Sequence, residues 1–349
     1  MQRKKLNITQ VKRVSVSRSC RRAFLSGLAA LAASGAMVST SHRAQAQQPT
    51  SVRRVGVLFA AIPRESKEAQ AFHHGLLGAG YVEGQDLLVE WQFANGDYAR
   101  IPALVADLIQ RKVDVIVVDS TVAAREAKQA TSSIPIVITL IADPIGSGLV
   151  LNLAHPGGNV TGLSLMHAEL TTKRLQLLKE AIPRLTRVAV LWNPDSAYHP
   201  KAIEELKAAA PALSIKPSFV AARTIGEIDP AFSAMTRMHA EALYVFADSF
   251  FRTQRMMLLK LASKLRLPAT YAARIFVDAG GLMSSGANIE NQMGRAAVYV
   301  DKILKGAKPG DLPIEQPSKF EFVVNLKAAK ALGIAIPESI LLSADEVIR

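Results

Sequence analysis

With 349 residues, 49% hydrophobic and 20% charged, the chain can bury a substantial core and has the length of about two globular domains. A formal charge of +13 points to nucleic acid or an anionic membrane only if it is spread over the fold. It is not: residues 1–46 hold nine of the 42 Lys and Arg and no acid, which leaves 33 bases against 29 acids, and a nucleic-acid partner is excluded.

Residues 1–46 read as an export signal: a basic start, a mildly apolar stretch from Phe24 to Val38, and the small residues Ala44 and Ala46 at a cleavage site. Arg21, Arg22, Phe24 and Leu25, in CRRAFL, give it a twin-arginine character. The apolar stretch is too short for a transmembrane anchor, which needs ~20 residues. Cys20 is the single cysteine and lies inside the leader, so the chain beyond it has no disulfide, thiolate nucleophile or sulfur ligand for a metal. The protein is therefore expected in the periplasm, with the leader removed.

From Arg53 onward, strand-like runs alternate with amphipathic helical patterns. VRRVGVLFAA, DLLVEWQFA, VDVIVV and IPIVITLIA read as strands; SKEAQAFHHGLLGAG, YARIPALVADLIQRK and the Ala-rich run after Thr121 read as helices. Runs such as Val113–Val118 are almost wholly apolar, as strands covered by helices on both faces must be. A second series follows HPGGNVTGLSL, with strands RVAVLWN, PSFVAAR, ALYVFAD and LPATYA and helices over 198–213, 227–239 and 251–265. The alternation predicts an α/β protein of two doubly wound parallel-sheet lobes. A helix over 288–304 has no partner sheet in the second half and is assigned to the first. The chain then crosses near 160–165, 282–286 and 315–324, a three-crossing hinge, with lobe 1 as 47–163 plus 284–318 and lobe 2 as 164–283 plus 319–349.

Parallel sheets bind ligands beyond the carboxyl ends of their strands, where helix N-termini present unpaired N–H groups. Ser120 and Thr121 follow VDVIVV and either dock an anionic group such as a carboxylate or cap the helix. Asp143-Pro144 and Asp248 stand at equivalent strand ends of the two units, where the carboxylates either hold an ammonium or sugar hydroxyls across a cleft or cap the next helices. Ser164, in GLSL, and Asn193, before Pro194, occupy further rim positions, Asn193-Pro194 being equally a plain turn. Tyr271 ends LPATYA and either stacks on a ligand or belongs to the core. No GxGxxG opens a helix after the first strand, and neither a phosphate loop nor a GxSxG elbow is present. The six histidines beyond the leader lack metal-ligand spacing. The chain is expected to be no enzyme and to need no cofactor or metal.

Several segments carry a resemblance, among them GYVEGQDLLVEWQFANGDYARIPALVADLIQRKVDVIVV, IPIVITLIADPIGSGLVLNLAHPGGNVTGLSL and DKILKGAKPGDLPIEQPSKFEFVVNLKAAKALGIAIPESILLSADEVI. Together they resemble the ABC transporter substrate-binding family related to tryptophan and tyrosine uptake proteins, from Val52 to Ile348. The resemblance implies a type I periplasmic-binding-protein fold: a monomer that closes two lobes on a small organic solute, an amino acid or similar. Its partners would be an ABC permease and its ATPase in the inner membrane. It also implies ligand contacts from the segments of Ser120, Thr121, Asp143, Pro144, Ser164, Asn193, Asp248, Tyr271 and Ser285. The chain departs from the family's usual pattern at Ala272–Ile275 and at Ser285, positions expected to line the cleft, so the ligand is not carried over. The alternatives are a binding protein of a non-ABC transport or signalling system and an enzyme on the same scaffold. A regulator's sensing domain would need a helix-turn-helix where the export signal stands.

Overall fold

The structure, a computed structural model, describes residues 52–165 and 167–349. Residues 1–46, read from the sequence as an export signal with a cleavage site, lie outside the described residues. The first part of the chain forms β1 (Arg53–Phe59), α1 (Lys67–Gly78), β2 (Leu87–Phe93), α2 (Ile101–Gln110), β3 (Val115–Val118), α3 (Thr121–Ala130), β4 (Ile136–Ile141) and β5 (Val160–Ser164). Next come α4 (His167–Ala181), β6 (Arg187–Trp192), α5 (His199–Ala209), β7 (Lys216–Ala221), α6 (Ile225–Arg237) and β8 (Ala242–Val245). They are followed by α7 (Ser249–Thr253), α8 (Arg255–Lys264), β9 (Ala269–Tyr271), α9 (Ile275–Asp278) and β10 (Met283–Ala287). The chain ends with α10 (Ile289–Leu304), β11 (Phe320–Asn325), α11 (Leu326–Leu332), α12 (Glu338–Ser343) and β12 (Glu346–Ile348).

Lobe 1 is a five-stranded parallel sheet in the order β2-β1-β3-β4-β5. Its strands are apolar at successive positions because each face has its own helical cover. Val55, Val57, Phe59, Val115 and Val117 pack under α1 and α10, whereas Leu58, Ile116, Val118, Ile136 and Ile138 pack under α2 and α3. Helix α10 thus returns to lobe 1, as its missing partner sheet required.

Lobe 2 has seven strands, β12-β11-β10-β9-β8-β6-β7. Within it β7-β6-β8-β9-β10 repeats the lobe 1 order, which makes the lobes topological copies. Val190, Tyr244 and Phe246 face α4 and α5, while Ala189, Leu191, Leu243 and Val245 face α6 to α8. The sheet is parallel except where β10 meets β11. The chain leaves the sheet after β10, visits lobe 1 as α10 and re-enters from the same end, so β11 must run back antiparallel. Residues 284–287, given to lobe 1 by sequence, pair within this lobe 2 sheet.

Two further differences have local causes. The pattern passes over α4 because its buried face carries Thr171 and Arg174, both fully buried. The helix expected over 251–265 is two helices: Thr253 Oγ1 donates back to the Ser249 carbonyl at 2.9 Å, and α7 ends before α8 begins.

The three crossings lie side by side. Ser164 N–H donates to the Glu315 carbonyl (2.9 Å), Glu315 N–H to Gly162 (2.9 Å), and Asn288 N–H to Lys319 (3.0 Å). Arg295, on α10, adds a two-oxygen grip on the Glu315 carboxylate, Nη2 lying 2.6 and 2.7 Å away. Gly162 holds φ at +128°, and a Cβ there would strike the Ile138 carbonyl in β4. Gly162→Ala should cost about 2–4 kcal/mol from backbone strain and that clash. Urea denaturation reads it as a lower midpoint at unchanged slope, and an unshifted midpoint would contradict it.

Candidate functional site

In each lobe the topological switch point lies between the first and third strands, where strand ends open toward the other lobe. Lobe 1 fills its own switch point. The buried Asp119 carboxylate, just after β3, accepts the N–H groups of Ala60 (2.6 Å), Ala61 (3.0 Å) and Ile62 (3.1 Å). Burial pushes its carboxyl up in pKa, against the pull of those three amides and of the Arg252 charge. With those amides taken, the β3 and β4 ends remain for a ligand. Ser120 caps α3, its Oγ accepting the Ala123 N–H at 3.2 Å, and Thr121 is the first helical residue. Asp143 turns its carboxylate into its own loop, accepting the Gly146 N–H at 2.8 Å, yet borders the cleft.

In lobe 2 the equivalent point holds Asn193 and Asp248. Asn193 Nδ2 donates to both Asp248 oxygens at 3.3 Å, and Asp248 also caps α7 through Phe250 N–H at 2.8 Å. Asp248 therefore corresponds to Ser120, each being the cap after the third strand of its sheet. The equivalence expected between Asp143 and Asp248 fails, because Asp143 follows the fourth strand. Behind them His199 is fully buried; its Nδ1 accepts the Asn193 N–H (2.9 Å) and its Nε2 donates to the Ala247 carbonyl (3.0 Å). Burial lowers the pKa of this imidazole, outweighing the opposing charge of Asp248. The neutral ring pins both rim loops of lobe 2.

The cleft has two joined chambers. The inner, of about 710 Å³ with its mouth, is walled by Leu140, Leu165, Phe246, Phe276 and Ile289, with Arg252 in the same wall. The outer, of about 910 Å³ with its mouth, holds more of the charged side chains: Arg125, Asp143, Asp195 and Arg223 line it beside Asn193, with Tyr98 at its edge. Thr121, Ala142, Ser196, Asp248 and Ser249 belong to both.

Ser120, Thr121, Asp143, Asn193 and Asp248 thus meet at the cleft, and four other named residues stand apart from it. Pro144 is buried, its carbonyl accepting the Leu149 N–H at 3.0 Å. Ser164 belongs to the hinge, where its carbonyl takes Gln292 Nε2 at 3.0 Å. Ser285 is buried in β10, its carbonyl held by Arg174 Nε at 2.7 Å. Tyr271 stacks face to face on Phe276, centroids 4.4 Å apart, and opens onto a different recess beside Gly281 and Leu282. Phe276 is the ring that reaches the inner chamber. Of the divergent run, Ala272 and Ala273 line that chamber, while Arg274 pairs with Glu346.

Sequence reasoning missed the contact that joins the lobes. Arg252 Nη2, on α7, meets Glu68 Oε1, on α1, at 2.5 Å, with side chains only 8% and 13% exposed. Burial alone would raise the Glu68 pKa, but Arg252 and the local hydrogen bonds hold it below the usual carboxylate value. Gly96, at φ +82°, lies against Thr253 so closely that a Cβ would overlap its methyl.

Two similar lobes around a two-chamber cleft define a protein that encloses a small solute. A family model described as ABC transporter substrate binding protein matches residues 57–348, and the chain belongs to this family. It is 27% identical over 272 residues, 78% of each chain, to a tyrosine-binding protein of Clostridioides difficile (strain R20291). It is similar, at TM-score 0.79 and 28% identity, to an ABC domain in complex with L-Trp from Streptococcus pneumoniae, covering 85% of this chain and 100% of that one. With the ligand-free, open structure of a C. difficile substrate binding protein it shares 25% identity over 85% of this chain and 99% of that one, but TM-score 0.61. The fold is the type I periplasmic-binding-protein fold.

His199 predicts a pH dependence. Its folded pKa lies below the unfolded value near 6.5, so below that pH the unfolded chain binds the extra proton and stability falls. Unfolding free energy should fall as pH falls from 7 to 5, by up to ~1.4 kcal/mol per pH unit from this one group, and melting temperature with it. His199→Asn should flatten the slope, and an unaltered slope would refute the assignment.

Proposed function

We propose that the protein is the periplasmic receptor of an ABC importer, a monomer that captures one amino acid with an aromatic or apolar side chain and hands it to a membrane permease and its ATPase. The observation that carries this reading is the join between the chambers, since residues common to both let one solute reach from the aliphatic and aromatic side chains of the inner wall to the charged side chains of the outer one. An amino acid has that polarity. Its side chain suits the walls of Leu140, Phe246, Phe276 and Ile289, its carboxylate the start of α3 with Arg125, and its ammonium Asp248 and Asp195. A relative named as tyrosine-binding and a similar structure holding L-Trp support the same class of ligand. The paired Arg21-Arg22 and Ala44-Gln45-Ala46 support export.

Closure follows from contacts with both lobes. A shift from mostly open to mostly closed needs about 5.5 kcal/mol of differential affinity. Two charge-assisted hydrogen bonds of about 1.5–3 kcal/mol each are of that order.

A thermal-shift screen of standard amino acids, aromatic acids, purines and sugars tests the class. An aromatic amino acid at 100 times its Kd should add ~2.7 kcal/mol of stability. Thr121→Ala and Asp248→Ala should each weaken it about tenfold or more by calorimetry. Stabilisation by sugars or purines alone would overturn the reading.

A further inference from the structure

One short helix of lobe 2, α7, carries three contacts with lobe 1. Arg252 Nη2 meets Glu68 Oε1, in the first turn of α1, at 2.5 Å, with both side chains nearly buried. Thr253 sets its methyl against Gly96. Tyr98 brings a buried hydroxyl beside Thr253 and Ser249. Glu68, Gly96 and Thr253 line neither chamber. The helix itself begins at Asp248, whose carboxylate accepts the Phe250 and Phe251 N–H groups and borders both chambers. The contact with the solute cleft and the contact with the other lobe are therefore one helical turn apart.

We infer that α7 is the latch of the closed form: the Glu68–Arg252 pair forms only when the lobes meet, and it sets how much of the protein is closed without choosing the solute. This rests on the closing motion proposed above and not on which solute is held. With both partners present, desolvation roughly offsets attraction. With Glu68 neutralised, Arg252 is an uncompensated charge in the closed form, whereas opening returns it to water. The penalty then falls on the closed form alone. Any solute that needs that form loses affinity by the factor by which the form is depleted, whatever its side chain.

Scattering and titration test the latch together. In small-angle X-ray scattering of the purified protein without solute, Glu68→Gln should give a larger radius of gyration than wild type. In calorimetry, L-tyrosine, L-phenylalanine and L-tryptophan should all lose about tenfold or more by a common factor in this variant. Stopped-flow should show the loss as faster release at near-constant association. In an Arg252→Gln background no pair is left to break, so Glu68→Gln should weaken binding no further, which separates a latch from a local effect on α1. Three results overturn the inference: affinities in folded Glu68→Gln within about twofold of wild type, unequal losses among the amino acids that bind, or an undiminished further loss in the Arg252→Gln background. If none of the three amino acids binds, the amino-acid reading falls and scattering alone decides the latch, equal radii overturning it.

Discussion

The cleft depends on three chain crossings that lie side by side and are hydrogen-bonded to one another. Because Ser164, Glu315, Asn288 and Lys319 bond across the crossings, the lobes are joined by a narrow ribbon. A ribbon of that kind lets two rigid bodies swing about one axis and resists sliding. The rigidity of each body has a separate source, a parallel sheet buried on both faces. On the proposed closing motion, residues at the strand ends of both lobes would meet in the same register each time.

Polar groups at the rim divide between support and contact. Asp119 spends its oxygens on three amides of lobe 1, and His199 spends both nitrogens on the loops of Asn193 and Asp248. These groups are internal and fix where loops stand. Thr121, Asp195, Ser196, Arg125 and Arg223 line the space between the lobes. Asp248 does both, as cap of α7, acceptor for Asn193 and wall of both chambers. The Glu68–Arg252 pair belongs to neither lobe alone. Buried pairs gain little net stability because desolvation offsets attraction, so its effect is to specify how the lobes meet.

The strands were legible because burial on two faces writes an unbroken apolar run, as in Val115–Val118. The return of α10 to lobe 1 was legible for a related reason, an amphipathic helix with no local sheet. Helix α4 was hidden because Arg174, bonded to the Ser285 carbonyl and to Tyr244, puts charge on a face that hydropathy expects to be apolar. The rim at Ser120, Thr121, Asn193 and Asp248 followed from the rule that parallel sheets offer their carboxyl ends. Sequence did not distinguish Tyr271 from Phe276, since which ring of a stacked pair faces the cleft is decided by packing in three dimensions. Glu68 and Arg252 lie 184 residues apart, and no local pattern links them.

Gly96 shows how narrowly the two bodies fit. Its missing side chain is the gap into which the Thr253 methyl settles. Any larger residue there would press on α7 at the edge of the cleft, beside Tyr98, Ser249 and Arg252, and act as a doorstop between the jaws. On the proposed closing motion, the balance between gaping and shut forms would therefore be adjustable at this one rim position.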